Sequence, residues 1–367
     1  MREYALVLLL VAAATYITTP LARRFAVRIK AMTVVRDRDV HAIPTPRLGG
    51  LAMFAGLVTG MWVAAQLPRL ATVFSETTWL GVLAGGAIVC LVGALDDRFG
   101  LDPLTKLAGQ VVAAGAMVLG GVQLLWLPLP TQTLSLDRNM GVIATVLLVV
   151  ATMNAINFVD GLDGLAAGIV GIAALAFFSY SWLLSYVEGF QRATSPTLVT
   201  AILAGMCIGF LPHNFHPARL FMGDSGSMLI GLLLSAGTIT LTGQVNVQVL
   251  SGPAALPTVL PLLVPVAVFA VPFVDMLFAV VRRTWAGKAP WAPDKLHMHH
   301  RLLLMGHSHR RAVLIMYSWA ALIAFAVVAA AFHAVPYVVL SITAGCGVLA
   351  LVALNIPRVV TRWRGTR

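Results

Sequence analysis

Residues 79–97 read Trp79-Leu80-Gly81-Val82-Leu83-Ala84-Gly85-Gly86-Ala87-Ile88-Val89-Cys90-Leu91-Val92-Gly93-Ala94-Leu95-Asp96-Asp97, an unbroken apolar run that ends on two adjacent carboxylates. As a helix, the run is long enough to cross the hydrocarbon core of a bilayer. It is one of many. The 367 residues are 59% hydrophobic and 11% charged, with a mean hydropathy of +0.90. A soluble fold of this size could not bury that much apolar surface, so the composition predicts an all-α polytopic membrane protein. Eleven spans are expected: 4–22, 48–67, 79–95, 104–122, 140–156, 163–185, 197–212, 225–243, 256–280, 312–332 and 336–356. The first opens Met1-Arg2-Glu3-Tyr4 and has its basic flank after it, which reads as a retained span rather than a cleaved signal. No linker, repeat or low-complexity tract divides the chain, so 1–367 is expected to form one integral domain.

Charge gives the orientation. Of the 25 Lys and Arg, 21 fall in 23–47, 98–106, Arg219, 282–311 and 358–367, all on one side of the expected spans. Arg2, Arg69, Arg138 and Arg192 are on the other. By the positive-inside rule the rich side is cytoplasmic, with the N-terminus outside and the C-terminus inside. The formal net charge of +11 is therefore topology and lipid attraction, not a nucleic-acid footprint. Cys90, Cys207 and Cys346 lie inside spans at no metal-binding or disulfide spacing.

The polar residues gather on the cytoplasmic side, where ionised groups beside lipid are costly and rarely incidental. Asp96 and Asp97 resist joint ionisation unless a cation lies near, and Lys106 and Gln110, four apart, share a face just beyond. Asn154, Asn157, Asp160 and Asp163 step by three, so a helix or 3₁₀ turn aligns them, while Gly161 and Gly164 admit close backbone approach. Asp163 also suits a helix cap. In Phe221-Met222-Gly223-Asp224-Ser225-Gly226-Ser227 a carboxylate sits at the start of the eighth span, as cap or as metal ligand beside a phosphate; the spacing is not that of a Walker motif. His297-Met298-His299-His300-Arg301 lacks a second zinc-type ligand set and suits a diphosphate better. His307, His309, Arg310 and Arg311 read as a basic membrane-proximal cluster. Arg47 lies on a Gly- and Pro-punctuated approach to the second span, and Asp275 is the one acid well inside a span. A cation-coupled transporter is the alternative of another class, although transport sites usually lie near the midplane.

Together the motifs resemble those of the polyprenyl-phosphate N-acetylhexosamine-1-phosphate transferase superfamily. The matching elements are His41-x-x-Pro44-x-Pro46-Arg47-x-Gly49-Gly50, Asp96-Asp97, Asn154-x-x-Asn157-x-x-Asp160-Gly161-x-Asp163-Gly164, Phe221-x-Gly223-Asp224-x-Gly226-Ser227 and His297-x-His299-His300-Arg301. Their order and the eleven-span topology also match. Met298 within the His run and Arg47-Leu48 before Gly49-Gly50 resemble the N-acetylglucosamine branch, with the muramoyl-pentapeptide branch as runner-up.

The resemblance implies an enzyme of the plasma (inner) membrane with its active site on the cytoplasmic face. It would move N-acetylglucosamine-1-phosphate from UDP-N-acetylglucosamine to polyprenyl phosphate and release UMP, priming a teichoic acid, O-antigen, common-antigen or arabinogalactan-linker polymer. It implies Mg²⁺, with Mn²⁺ as a substitute, and leaves homodimerisation open. The roles that follow make Asp224 and Asp97 metal ligands, with Asp96 and Asp97 together holding the metal and the acceptor phosphate and Asp96 as the candidate base for that phosphate. Asn154, Asn157, Asp160 and Asp163 fall on the nucleotide side. His297, His299, His300 and Arg301 fall on the diphosphate or sugar, and Arg47 and Lys106 on phosphate.

Overall fold

The computed structural model describes residues 1–33, 44–128, 133–187, 194–244, 281, 284–285, 287, 302, 305–332 and 345. Among these, nine α-helices follow one another: α1 (Arg2–Arg28), α2 (Gly49–Ala65), α3 (Thr78–Phe99), α4 (Pro103–Leu119), α5 (Arg138–Val159), α6 (Leu165–Val187), α7 (Thr194–Asn214), α8 (Gly223–Gln244) and α9 (His309–Phe332). Seven are long and apolar enough to cross a membrane; α2 and α4, at 17 residues each, are shorter apolar helices. Nine of the eleven expected spans thus coincide with described helices. The spans expected at 256–280 and 336–356 lie outside the described residues.

Local sequence sets the helix ends. Asp102 caps α4, its carboxylate accepting from Leu104 N and Thr105 N at 3.0 Å, and Pro103 takes the first-turn position whose N–H would be an orphan anyway. Asp137 caps α5 through Met140 N at 2.7 Å. α3 stops at Gly100, which adopts φ +68° and closes on Asp96 O.

One short ribbon joins two of the helices. Trp126–Pro128 pairs antiparallel with Thr133–Ser135 in the α4–α5 connection, Leu127 opposite Leu134. Buried Trp126, a residue type enriched in strands, anchors the ribbon. Trp126 is 6% exposed and packs in the core.

α8 is the axis of the bundle. Its apolar window is entirely buried, and α2, α3, α5, α6 and α7 all pack on it. Small residues make that approach possible, as in membrane helix packing generally. A Cβ on Gly93 of α3 would land on the backbone of Asp224 and Ser225; one on Gly50 of α2 would land on Ser225 and Gly226. α9 closes against α6, where the Tyr317 hydroxyl donates to Gly164 O and its ring covers Gly168.

Candidate active site

The N-terminus of α8 is where four of the sequence motifs meet. An uncapped helix start leaves backbone N–H groups without partners, and here the partner comes from another helix. Asp97 of α3, 6% exposed, accepts from Asp224 N at 2.9 Å through Oδ1, and from Ser225 N at 3.2 Å and Ser225 Oγ at 2.9 Å through Oδ2. Gly223, at φ +68°, lies so close that a Cβ would strike the Asp97 carboxylate. The approach to α2 is stitched to the same turn: Phe221 N donates to Pro46 O at 2.9 Å, while Gly49 N and Gly50 N donate to Phe221 O and Met222 O at 3.0 Å. To make the turn, Leu48 adopts φ +91°. The Gly49-Gly50 pair therefore acts as a backbone seat for the Asp224 loop.

Asp224 turns its side chain the other way. Oδ1 accepts from Asn157 Nδ2 at 2.9 Å, and the same amide donates to Ser227 Oγ at 2.8 Å. Oδ2 pairs with the Lys106 ammonium, which also lies 3.6 Å from Asp96 Oδ2. Asp96 Oδ1 accepts from Leu101 N at 2.8 Å. Deeper in, Asn154 Nδ2 donates to Gln110 Oε1 at 2.7 Å and to Val150 O at 2.8 Å. The resemblance implies Asp224, with Asp96 and Asp97, around the metal. In the structure both Asp97 oxygens face α8 donors, and it is Asp96 and Asp224 that converge on one cationic group.

That convergence allows a test of fit for a divalent cation. Magnesium is commonly held by one or two carboxylates, with water and substrate phosphates completing the shell. Asp96 and Asp224 supply the two, and the Lys106 ammonium marks the point where positive charge is favoured. Among the described residues no group of three or more His, Cys, Asp or Glu gathers. The donor set therefore suits a hard ion that shares its shell with phosphate, not an all-protein cage.

Asp160 ends α5 at the rim, partly exposed yet walled by protein; burial pushes its carboxyl up to about 7, opposed by the Arg47 charge and reinforced by Asp97 and Asp163. Asp163 is elsewhere. Only 2% exposed, it accepts at Oδ2 from Ala218 N at 3.0 Å and pairs with His216 Nδ1 at 2.7 Å, fastening the α7–α8 loop. Asn214 joins in, accepting from Gly164 N at 3.1 Å and donating to Leu220 O at 3.0 Å. The His216 ring stacks on His309 at 4.7 Å, and Arg310 Nε donates to His216 O at 3.0 Å. Part of the basic cluster at the start of α9 thus has definite partners, unlike a merely hydrated cluster.

Asn214 and His216 fall outside the sequence motifs. Asn214-Phe215-His216-Pro217, polar side chains on the basic side between two spans, was the available signal. His297, His299, His300, Arg301 and Asp275 lie outside the described residues.

Comparison with known proteins identifies the family. The family model for glycosyl transferase family 4 matches residues 79–242, the stretch that holds Asp96 through Ser227. The chain is 46% identical to the decaprenyl-phosphate N-acetylglucosaminephosphotransferase of Mycobacterium tuberculosis (strain ATCC 25618 / H37Rv), over 97% of this chain and 89% of that protein. It is 34% identical to a probable undecaprenyl-phosphate N-acetylglucosaminyl 1-phosphate transferase of Bacillus subtilis (strain 168), over 82% and 77%. A phospho-N-acetylmuramoyl-pentapeptide-transferase of Moorella thermoacetica is 33% identical over 87% and 96%. Likeness of this degree over nearly the whole length shows that the chain belongs to the polyprenyl-phosphate N-acetylglucosamine-1-phosphate transferase branch of glycosyl transferase family 4.

Proposed function

We propose that the protein transfers N-acetylglucosamine-1-phosphate from UDP-N-acetylglucosamine to a polyprenyl phosphate, giving the lipid diphosphate sugar and UMP, for synthesis of a cell-envelope polymer. The observation that carries this reading is the convergence of Asp96, Lys106, Asn157 and Asp224 at the buried N-terminus of α8. Family membership speaks against the transporter alternative. The 21-to-4 division of Lys and Arg supports placing this end of the bundle at the cytoplasmic face of the plasma membrane, where a soluble UDP-sugar and an anchored lipid phosphate can meet.

Asp96 and Asp224 would hold Mg²⁺ or Mn²⁺, whose charge would offset that of the donor diphosphate and of the phosphoryl group in transfer. The protein's own groups do the rest. The acceptor phosphate, with a second pKa of about 6, is largely ionised at neutral pH, so the attacking oxygen requires no strong base. Attack on the β-phosphorus breaks its bond to the oxygen shared with the α-phosphate, and that oxygen leaves on UMP. Lys106, sited between two carboxylates, is in reach of either phosphate as a mobile cation. Asn157 fixes the direction of the Asp224 carboxylate, and Asp97 fixes the helix that carries it. Asp160 and Arg47 form the rim toward the nucleotide, and His297, His299, His300 and Arg301 are assigned to the diphosphate and sugar.

The test is transfer by purified protein in detergent, with decaprenyl phosphate and radiolabelled UDP-N-acetylglucosamine, products being resolved as lipids. A labelled lipid diphosphate and one UMP per turnover are expected, with little or no use of UDP-N-acetylmuramoyl-pentapeptide. Efficient turnover of the pentapeptide donor instead would move the chain to the other branch.

A further inference from the structure

Two layers of side chains cross the same three helices at the active-site end of the bundle. In the outer layer Lys106 of α4 and Asn157 of α5 meet on the Asp224 carboxylate of α8. The inner layer lies one turn deeper on every helix. Gln110 follows Lys106 by four residues, Met228 follows Asp224 by four, and on α5, which runs the other way, Asn154 precedes Asn157 by three. Their side chains touch. Asn154 Nδ2 donates to Gln110 Oε1 at 2.7 Å, while Gln110 Nε2 donates to Met228 Sδ at 3.2 Å and lies 3.5 Å from Asn154 Oδ1.

This inner layer engages Asn154 fully as a donor. One amide hydrogen goes to Gln110 and the other to Val150 O of its own helix at 2.8 Å, so neither is left for a nucleotide. The layer also fixes α4. That helix packs on α3 and α5, not broadly on α8, so packing on α8 does not by itself bring Lys106 to Asp224. Against α3 the contact is apolar, with Gly109 over Val92. A polar pair inside an apolar interface selects one register, because a slip leaves both amides without partners where no water replaces them. Gln110, 1% exposed, is closed to solvent. In the register selected, the flexible stem of Lys106 carries its ammonium to Asp96 and Asp224.

We infer that Gln110 and Asn154 are a positioning pair for Lys106. The hydrogen bond between them sets the depth of α4 on α5 and so holds the ammonium between Asp96 and Asp224. Both residues act through that ammonium rather than on the substrate. The inference rests on the proposed reaction for the use made of Lys106, but the position of Lys106 is read without catalysis.

The test is zero-length cross-linking of the full chain in detergent with a carbodiimide, which joins an amine to a carboxylate in contact with it. Peptide mass spectrometry should find the Lys106–Asp224 cross-link in the wild type and not in Asp224→Asn. Gln110→Leu/Asn154→Leu removes both amides together and orphans neither, so it should melt close to the wild type. Its Lys106–Asp224 cross-link should nevertheless fall on the order of tenfold, because reaction within a contact pair drops steeply with misplacement. Transfer should fall at least about tenfold too, with KM for UDP-N-acetylglucosamine unchanged. An undiminished cross-link in the double variant would overturn the positioning role. So would a parallel rise in the thiol reactivity of buried Cys90, which would mean a general loosening of the bundle. Calorimetry with UMP separates the remaining reading: weaker binding to Asn154→Leu but not to Gln110→Leu would make Asn154 a nucleotide ligand and overturn the pair. A wild type that cross-links as expected but transfers no sugar would count against the proposed function and leave the positioning of Lys106 supported.

Discussion

Asp97→Ala should damage the fold more than any other carboxylate change in the site, and the reason can be worked from three hydrogen bonds. The substitution withdraws the acceptor from Asp224 N, Ser225 N and Ser225 Oγ. Ser225 Oγ keeps a second partner, Met222 O at 3.2 Å. Two backbone N–H groups at the first turn of α8 are then orphaned where the lost side chain was 6% exposed. Each buried unsatisfied donor costs about 1–3 kcal/mol, and losing an anion from a helix N-terminus costs about 0.3–1 kcal/mol more. The expected loss is therefore about 4 kcal/mol, or a fall in melting temperature of about 5–10 °C for a chain of this size. Cys90 and Cys207 are free and buried, so a thiol-reactive dye reports unfolding directly. Asp96→Ala is the comparison: it gives up one backbone donor, Leu101 N, and a 3.6 Å ion pair at a partly exposed site, for about 1 kcal/mol. The drop for Asp97→Ala should be the same in chelator as in Mg²⁺, because it comes from the helix start. A variant that melts within a degree or two of the wild type, or loses stability only when metal is supplied, would refute the anchoring role and return Asp97 to the metal.

Four other outcomes are expected. Asp224→Asn should remain folded yet transfer at least about a hundredfold more slowly; chelator should do the same to the wild type, Mg²⁺ or Mn²⁺ should restore it, and full activity in excess chelator would sink the metal assignment. Lys106→Met should lose transfer while binding Mn²⁺ more tightly in the absence of substrate, read by paramagnetic resonance, because the competing ammonium is gone; unchanged Mn²⁺ affinity would remove Lys106 from the cation position. Asp160 has its carboxyl raised to about 7, so the folded state holds a proton that the unfolded state releases near 4, and its contribution to stability falls as pH rises between those values; Asp160→Asn should therefore raise the melting temperature at pH 8 but not at pH 4, and an equal gain at both would show that charge is not the cause. Single cysteines at Ser308 and Ser251, in a background lacking the native three, should label only from the cytoplasm and only from outside respectively, and the reverse would invert the topology.

The pattern of spans was legible because apolar length is a local property. What each acid faces was not. Asp96 and Asp97 are neighbours in sequence, but successive side chains on a helix diverge by about 100°. One therefore turns to Lys106 and the other into the start of α8, and no spacing rule says which will meet a metal. Asp163 shows the same limit: its three-residue step from Asp160 suggested a shared face, yet its partners come from the α7–α8 loop, His216 and Ala218. Gly223 and Asp224 were readable as a helix start, but the cap lies more than a hundred positions earlier in the chain. The ribbon at Trp126 was missed because three-residue strands leave almost no periodic signal.

That long-range cap has a consequence for biosynthesis. The ribosome delivers α3 to the membrane well before α8 exists, so Asp97 waits at the helix end with none of the three donors it finally receives. During that interval the nascent bundle carries a carboxylate poised beside apolar neighbours, and only the arrival of residues 223–225 relieves it. The pairing that positions Asp224 in the finished bundle therefore forms late, when the start of α8 reaches the end of α3.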